Sequence, residues 1–138
     1  MTKRRKSREL ALQVLYANTY DQEPVEDVLQ KILDTHECSA DIVPFAREII
    51  NAVEDHREEF DQLIVNTAFN WDISRIAQLD KIVIRMALAE IFYFDTIPYK
   101  VSIDEAIELG KKFSSKDSGK FINGILDAIG KDRKQEKP

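Results

Sequence analysis

The stretch from Leu79 to Phe94 constrains the fold more than any other part of the sequence. If it forms a helix, apolar side chains cover most of the girth, and only four of its residues are charged. A helix that is hydrophobic nearly all round is stable only when other elements surround it. The stretch is too short to cross a bilayer, and it contains Arg85 and Glu90. We therefore expect a largely buried central helix of a soluble protein.

Helical periodicity continues through the rest of the chain. Apolar residues recur every three to four positions, and the period-two alternation that indicates strands is absent. Glycine and proline each occur only four times in 138 residues, which favours long helices over many strands and turns. The pattern predicts an all-α fold with short connections between antiparallel neighbours. The other predicted helices span residues 9–20, 25–35, 42–56, 58–69 and 102–113, and a last one follows residue 117.

A break in the helical pattern at Asn70–Arg75 separates two halves of the chain. Trp71 is large enough to wedge between the halves, and Ser74 is suited to capping a short turn. We therefore predict two subdomains, residues 1–70 and residues 71–138, within one compact domain.

Polar residues mark the starts of the last two predicted helices. Ser102 and Glu105 have the spacing of a capping box, in which each side chain bonds to the backbone of the other residue. Ser115 or Asp117 can cap the final helix. These signals predict that the first of the two helices begins close to Ser102.

The final predicted helix carries an aromatic residue at the edge of its apolar stripe. Phe121 lies at that edge, next to Lys120. A half-exposed ring in this position can stack a nucleobase while the lysine meets a phosphate. Alternatively, the ring is the rim of the core, and the pattern alone leaves both interpretations open. The stripe itself consists of Ile122, Ile125, Leu126 and Ile129.

The charges are distributed unevenly along the chain. The net charge of −5 comprises +5 in residues 1–8, +2 in residues 131–138 and therefore −12 in residues 9–130. A basic end on an acidic body is typical of nucleic-acid binding. The acidic body would repel phosphate and confine the contact to the basic end. A solvated tail is the alternative that charge alone leaves open.

The sequence lacks the side-chain combinations that most enzymes and metal sites require. His36, His56 and the single cysteine, Cys38, do not have the spacing of a four-ligand zinc site. There is no glycine-rich phosphate loop, nucleophile elbow or HExxH motif. No apolar signal region follows the N-terminal charges. We expect a cytoplasmic protein that is not an enzyme and binds no metal or cofactor.

Several segments match one known family in their order and spacing. Over nearly the whole chain, the sequence resembles the NusB family of bacterial transcription antitermination factors. The family usually has alanine where this sequence has Gly110, and a glycine inside a helix costs about 1 kcal/mol relative to alanine. The matching segments are Arg4-Arg5-x-x-Arg8-Glu9-x-Ala11-x-Gln13-x-Leu15-Tyr16, Asn70-Trp71 with Arg75, Leu79-Asp80-x-x-Val83-Ile84-Arg85-x-Ala87-x-x-Glu90, Ile97-Pro98-x-x-Val101-x-Ile103-x-Glu105-Ala106-x-Glu108-Leu109, Lys112-Phe113-Ser114 and Phe121-Ile122-Asn123-Gly124-Ile125-Leu126-Asp127.

The resemblance implies a fold, two partners and two sets of binding residues. The implied fold consists of two three-helix bundles packed roughly perpendicular. The implied partners are boxA RNA of ribosomal RNA transcripts and NusE, a small-subunit ribosomal protein, within an RNA polymerase elongation complex that contains other Nus factors. Some family members pair with themselves, so a homodimer stays open. The implied RNA-binding residues are Lys3, Arg4, Arg5, Lys6, Arg8, Asp117, Ser118, Lys120 and Phe121. The implied partner-binding residues are Tyr16, Asp80, Lys81, Ile84 and Arg85.

Two other functions compete with an RNA-binding adaptor. A helical module that binds only proteins would carry the same apolar stripes, and its basic tails would simply be solvated. NusB-like domains also precede some ribosomal RNA methyltransferase domains. Because the sequence ends at Pro138 without a catalytic extension, we expect the adaptor rather than the enzyme accessory domain.

Overall fold

The computed structural model describes residues 2–68 and 76–136, with side chains described as far as residue 131. All regular secondary structure in these ranges is helical, which confirms the predicted all-α class. No helix in the described ranges is long and apolar enough to cross a membrane. The helices are α1 (Lys3–Asp21), α2 (Val25–Thr35), a 3-10 turn (Ala40–Ile42), α3 (Val43–Thr67), α4 (Gln78–Tyr93), α5 (Tyr99–Phe113) and α6 (Ser118–Glu136).

Contacts between residues divide the chain into two units, Met1–Ala52 and Val53–Pro138. In the first unit, α1 packs against α2 and the 3-10 turn. In the second, α4, α5 and α6 pack against one another. The predicted boundary between residues 70 and 71 lies outside the described residues, as do Trp71 and Ser74 with their predicted roles, and all three stay predictions.

In the first unit, α1 begins earlier than the periodicity predicted. The side chain of Thr2 accepts a hydrogen bond of 3.1 Å from the backbone N–H of Arg5 and thereby caps the helix. The basic segment Lys3–Arg8, called the basic arm below, therefore forms the first two turns of α1. The helix ends at Gln22, whose backbone is left-handed at φ 56°. Its core-facing residues are buried: Leu10, Ala11, Leu12, Val14 and Leu15.

The two helices predicted at residues 42–56 and 58–69 are joined in one kinked helix, α3. The kink lies at His56, where the first of the two was predicted to end. His56 has non-helical backbone angles, φ −123° and ψ 18°. Its imidazole stacks on the ring of Tyr93, with centroids 4.0 Å apart and planes 11° apart. The tyrosine hydroxyl also donates a hydrogen bond of 2.9 Å to Glu59. The kink is therefore held by side chains of the second unit.

In the second unit, α4 is largely buried, as its composition predicted. Ile84 and Leu88 are fully buried, and the exposed fraction of the Glu90 side chain is only 2%. A buried carboxylate requires hydrogen-bond donors because it has lost water. One donor is the hydroxyl of Ser102 on α5, at 3.0 Å.

The capping box predicted at Ser102 and Glu105 is therefore wrong. Helix α5 begins at Tyr99, with Pro98 at the N-cap position, so Ser102 lies inside the helix. Its side chain bonds to Glu90 on α4 and not to the backbone of its own first turn. The role of Ser102 therefore depends on Glu90, which lies on another helix.

Gly110 lies where α5 and α6 pack closely together. It is buried, and a Cβ atom at this position would overlap Cδ1 of Ile122 on α6. The four predicted stripe residues of α6 are also buried, which confirms that face of the helix: Ile122, Ile125, Leu126 and Ile129. The glycine therefore allows the stripe to approach α5.

Candidate nucleic-acid interface

The first two turns of α1 carry five cations at a helix N-terminus. Arg5 is half-buried and Arg8 is buried, with an exposed fraction of 3%. The first turn contains no acidic residue to balance the positive end of the helix dipole. Helix dipole and side chains therefore attract the same ligand, an anion such as phosphate. The exposed cations are Lys3, Arg4 and Lys6.

The segment from the 3-10 turn to the start of α3 fixes this basic arm. Lys3 pairs with Asp41, Nζ to Oδ2 2.6 Å. The hydroxyl of Ser7 donates a hydrogen bond of 2.7 Å to the carbonyl of Ile42. The arm is thus part of the folded first unit and not a loose tail.

The ion pair between Lys3 and Asp41 changes the acidity of both groups. The hydrogen bond to Asp41 raises the pKa of the Lys3 ammonium, and the same bond lowers the pKa of the Asp41 carboxyl. Both side chains are exposed, so water and salt screen the pair. Asp41 nevertheless neutralises one of the five cations of the arm locally.

The start of α6 holds the second group of residues implied in RNA binding. Ser118 is buried, and its hydroxyl accepts a hydrogen bond of 3.2 Å from the backbone N–H of Ser115. Asp117 and Lys120 are exposed, and Phe121 is half-buried. Half-burial of the Phe121 ring agrees with its predicted place at the edge of the apolar stripe and leaves both interpretations of the ring open. Ser118 supports the turn from inside, while the other three residues reach the surface.

The residues implied in RNA binding belong to two different units. Lys3 to Arg8 lie in the first unit, and Asp117 to Phe121 lie in the second. Within the first unit the structure brings the arm together with Asp41, Ile42 and Phe45. Within the second it brings Ser118 to Ser115 in the turn before α6.

Tyr16 pairs with a second aromatic residue that the sequence analysis missed. Its ring meets that of Tyr20 edge to face, with centroids 5.1 Å apart, and the two hydroxyls lie 3.3 Å apart. Hydrogen bonding to Tyr16 raises the pKa of the Tyr20 phenol. Tyr20 is 65% exposed, whereas Tyr16 is half-buried. The spacing of four residues in a helix was the signal that could have identified the pair.

The partner-binding residues implied on α4 differ in exposure. Ile84 is fully buried and belongs to the core. Arg85 is held by Asp61 of α3 through two contacts, Nε to Oδ1 at 2.7 Å and a terminal nitrogen to Oδ2 at 3.1 Å. Lys81 is half-buried. Lys81 therefore offers more surface than Ile84 for a direct contact.

Asp80 stands out at the first turn of α4. Its exposed fraction is 8%, and its Oδ1 atom is buried without a hydrogen-bond partner within the described ranges. An unpaired buried carboxylate oxygen is costly in a folded protein.

Comparisons with known proteins agree with the helical fold and identify the family. A sequence model of the NusB family matches residues 5–131. The transcription antitermination protein NusB of Myxococcus xanthus is 41% identical, and the match covers 94% of this chain and 95% of that protein. NusB from T. maritima, a solved structure, is 34% identical with a TM-score of 0.84, over 94% of this chain and 92% of that one.

A further solved structure shares the fold. It contains the antitermination factors NusB and NusE in complex with dsRNA, and it matches at 24% identity with a TM-score of 0.84, over 96% of this chain and 98% of that one. The curated relative is named as a transcription antitermination protein and not as an enzyme, in agreement with the prediction. Because the family model matches residues 5–131 and the Myxococcus xanthus protein is 41% identical over most of both chains, this chain belongs to the NusB family.

Proposed function

We propose that this protein is a transcription antitermination factor that binds boxA-type single-stranded RNA of ribosomal RNA transcripts together with NusE. It acts in the cytoplasm, where it joins the RNA polymerase elongation complex with other Nus factors. The observation that carries the proposal is the basic arm at the capped N-terminus of α1. There, exposed Lys3, Arg4 and Lys6 lie at the positive end of the helix dipole, which attracts phosphate.

The physical chemistry of the arm suits RNA. Cations that neutralise phosphates release condensed counterions, which supplies affinity without sequence preference. Phe121 at the rim of α6 supplies a surface on which an unstacked base can lie, and exposed Lys120 beside it can meet the backbone. The two features together support binding that prefers a sequence in single-stranded RNA.

Support for NusE as the partner comes from the family and from charge. A protein of the same fold has been crystallised with NusE and dsRNA. The body of this chain, residues 9–130, carries a net charge of −12, which suits a basic ribosomal protein. Tyr16, Asp80, Lys81 and Arg85 are the proposed contact residues, whereas Ile84 is fully buried in the core.

A salt-dependent binding titration tests this function. We would measure the affinity for a short boxA-like RNA and for a scrambled RNA of equal length, with and without purified NusE. Tighter binding to the boxA-like RNA, strengthened by NusE, is the expected result. Equal and salt-sensitive binding to both RNAs would contradict the specific function and favour a module that binds only proteins.

A further inference from the structure

Phe45, at the start of α3, contacts two of the arginines of the basic arm. The Cζ atom of Arg4 lies 4.5 Å from the centroid of its ring, and the Cζ atom of Arg8 lies 5.5 Å from it. Both distances fall within the range in which a guanidinium is attracted by the negative face of an aromatic ring, about 6 Å. One ring therefore contacts cations from two successive turns of α1.

The two arginines differ in what they can reach. Arg8 is buried, whereas Arg4 is exposed. Arg8 therefore anchors α1 to Phe45 and has almost no surface for a direct contact with RNA. Arg4 is held from one side by the ring, and the side chain is still accessible to a ligand.

A guanidinium can bind an aromatic ring and a phosphate at the same time. Its flat face lies against the ring, while its N–H groups point outward in the plane and form a fork that fits phosphate oxygens. Holding the group in place before binding reduces the conformational entropy that is lost when RNA arrives. A lysine could not divide its contacts in this way because its ammonium is a compact, strongly hydrated charge.

We propose that Phe45 is a positioning residue for RNA binding, which holds Arg4 so that its guanidinium edge meets a phosphate of single-stranded RNA. This inference rests on the proposed function and adds to it a residue outside the basic arm. It also gives different roles to two of the three arginines implied by the family resemblance: Arg4 is a contact residue and Arg8 is an anchor.

A double-mutant cycle on RNA affinity tests the inference. Phe45→Leu removes the aromatic face but keeps an apolar side chain, and Phe45→Tyr is the matched control that keeps the face. We expect about a threefold to tenfold loss of affinity for Phe45→Leu at low salt, and less than about a twofold change for Phe45→Tyr. Arg4→Ala should weaken binding in the wild-type background and have a clearly smaller effect in the Phe45→Leu background.

The cycle distinguishes positioning from a purely structural role. If Phe45 only stabilises the fold, Phe45→Leu will lower the unfolding temperature while Arg4→Ala costs the same factor in affinity in both backgrounds. That result would overturn the inference. If Phe45→Leu does not fold, Arg4→Lys provides the second test, because it keeps the charge and loses the fork. About a threefold loss of affinity is then expected, and unchanged affinity would overturn the inference.

Failure of the proposed boxA function and failure of the proposed role of Phe45 would give different binding results. The cycle can be measured on the boxA-like and on the scrambled RNA, since contacts to phosphate do not depend on sequence. Equal affinity for the two RNAs would contradict the boxA function and leave the coupling between Arg4 and Phe45 measurable. Absence of coupling on an RNA that binds tightly would contradict only the role of Phe45.

Discussion

The hydroxyl of Ser102 donates a hydrogen bond of 3.0 Å to the carboxylate of Glu90, and both side chains are buried. The bond joins α5 to α4 inside the second unit. In this setting a charged acceptor contributes more than a neutral one, because charge-assisted hydrogen bonds are roughly twice as strong.

Ser102→Ala should lower the free energy of unfolding by about 1–3 kcal/mol, because a buried carboxylate loses one of its donors. Chemical denaturation followed by circular dichroism measures the change. Glu90→Gln is the matched variant, since it keeps the shape of the side chain and removes the charge. The effects of the two substitutions should not add in the double variant, and full additivity would show that the hydrogen bond contributes little.

Gly110→Ala should destabilise the protein, although alanine is the better helix former. The added methyl would overlap Cδ1 of buried Ile122, and overpacking of a core costs about 1–3 kcal/mol, more than the helical gain of about 1 kcal/mol. Ile122→Val removes that Cδ1 atom. The double variant should therefore be more stable than Gly110→Ala alone, as measured by thermal denaturation. A double variant less stable than either single variant would contradict the close contact.

Asp41→Asn should tighten RNA binding by about twofold to threefold at low salt, since it releases Lys3 from its ion pair. The measurement is the affinity for the boxA-like RNA over a range of salt concentrations. Glu48→Gln is a control of the same charge change at an exposed position of the first unit. If both variants tighten binding equally, net charge and not the pairing of Lys3 is responsible.

The carboxyl of Asp41 should titrate below the ordinary range of an aspartate. Its pKa is lowered chiefly by the hydrogen bond from Lys3, so the ion pair is fully formed above the ordinary aspartate pKa and is lost only as the pH falls through the lowered value. NMR titration of the side-chain carboxyl measures this directly. Lys3→Met should return the midpoint toward the ordinary range, and an unchanged midpoint would assign the shift to another group.

Phe121→Ala should weaken RNA binding about tenfold, because stacking of one base on an aromatic ring is worth about 1–3 kcal/mol. Its half-buried ring also contributes to packing, so we expect a loss of unfolding free energy that leaves the protein folded at 25 °C. Phe92→Ala, another half-buried phenylalanine of the second unit, is the control. Equal RNA affinities of the two variants would show that Phe121 is only the rim of the core.

The local pattern of the sequence was sufficient for the all-helical class and for one face of several helices, although it misplaced some of the helix ends. The stripe of α6, the burial of α4 and the rim position of Phe121 depend on residues three to four apart, and periodicity records such neighbours directly. The concentration of cations before Glu9 is equally visible in the sequence. These features required no knowledge of which helices meet.

Tertiary structure decided the roles of single polar and charged residues. Ser102 has the spacing of a cap, but its partner Glu90 lies on another helix. Arg8 looks like any other cation of the arm, yet it is buried, and Phe45, which contacts it, lies far away in the sequence. Hydrogen bonds and ring contacts depend on distances of a few ångströms between elements, and no local periodicity encodes which side chains packing brings together.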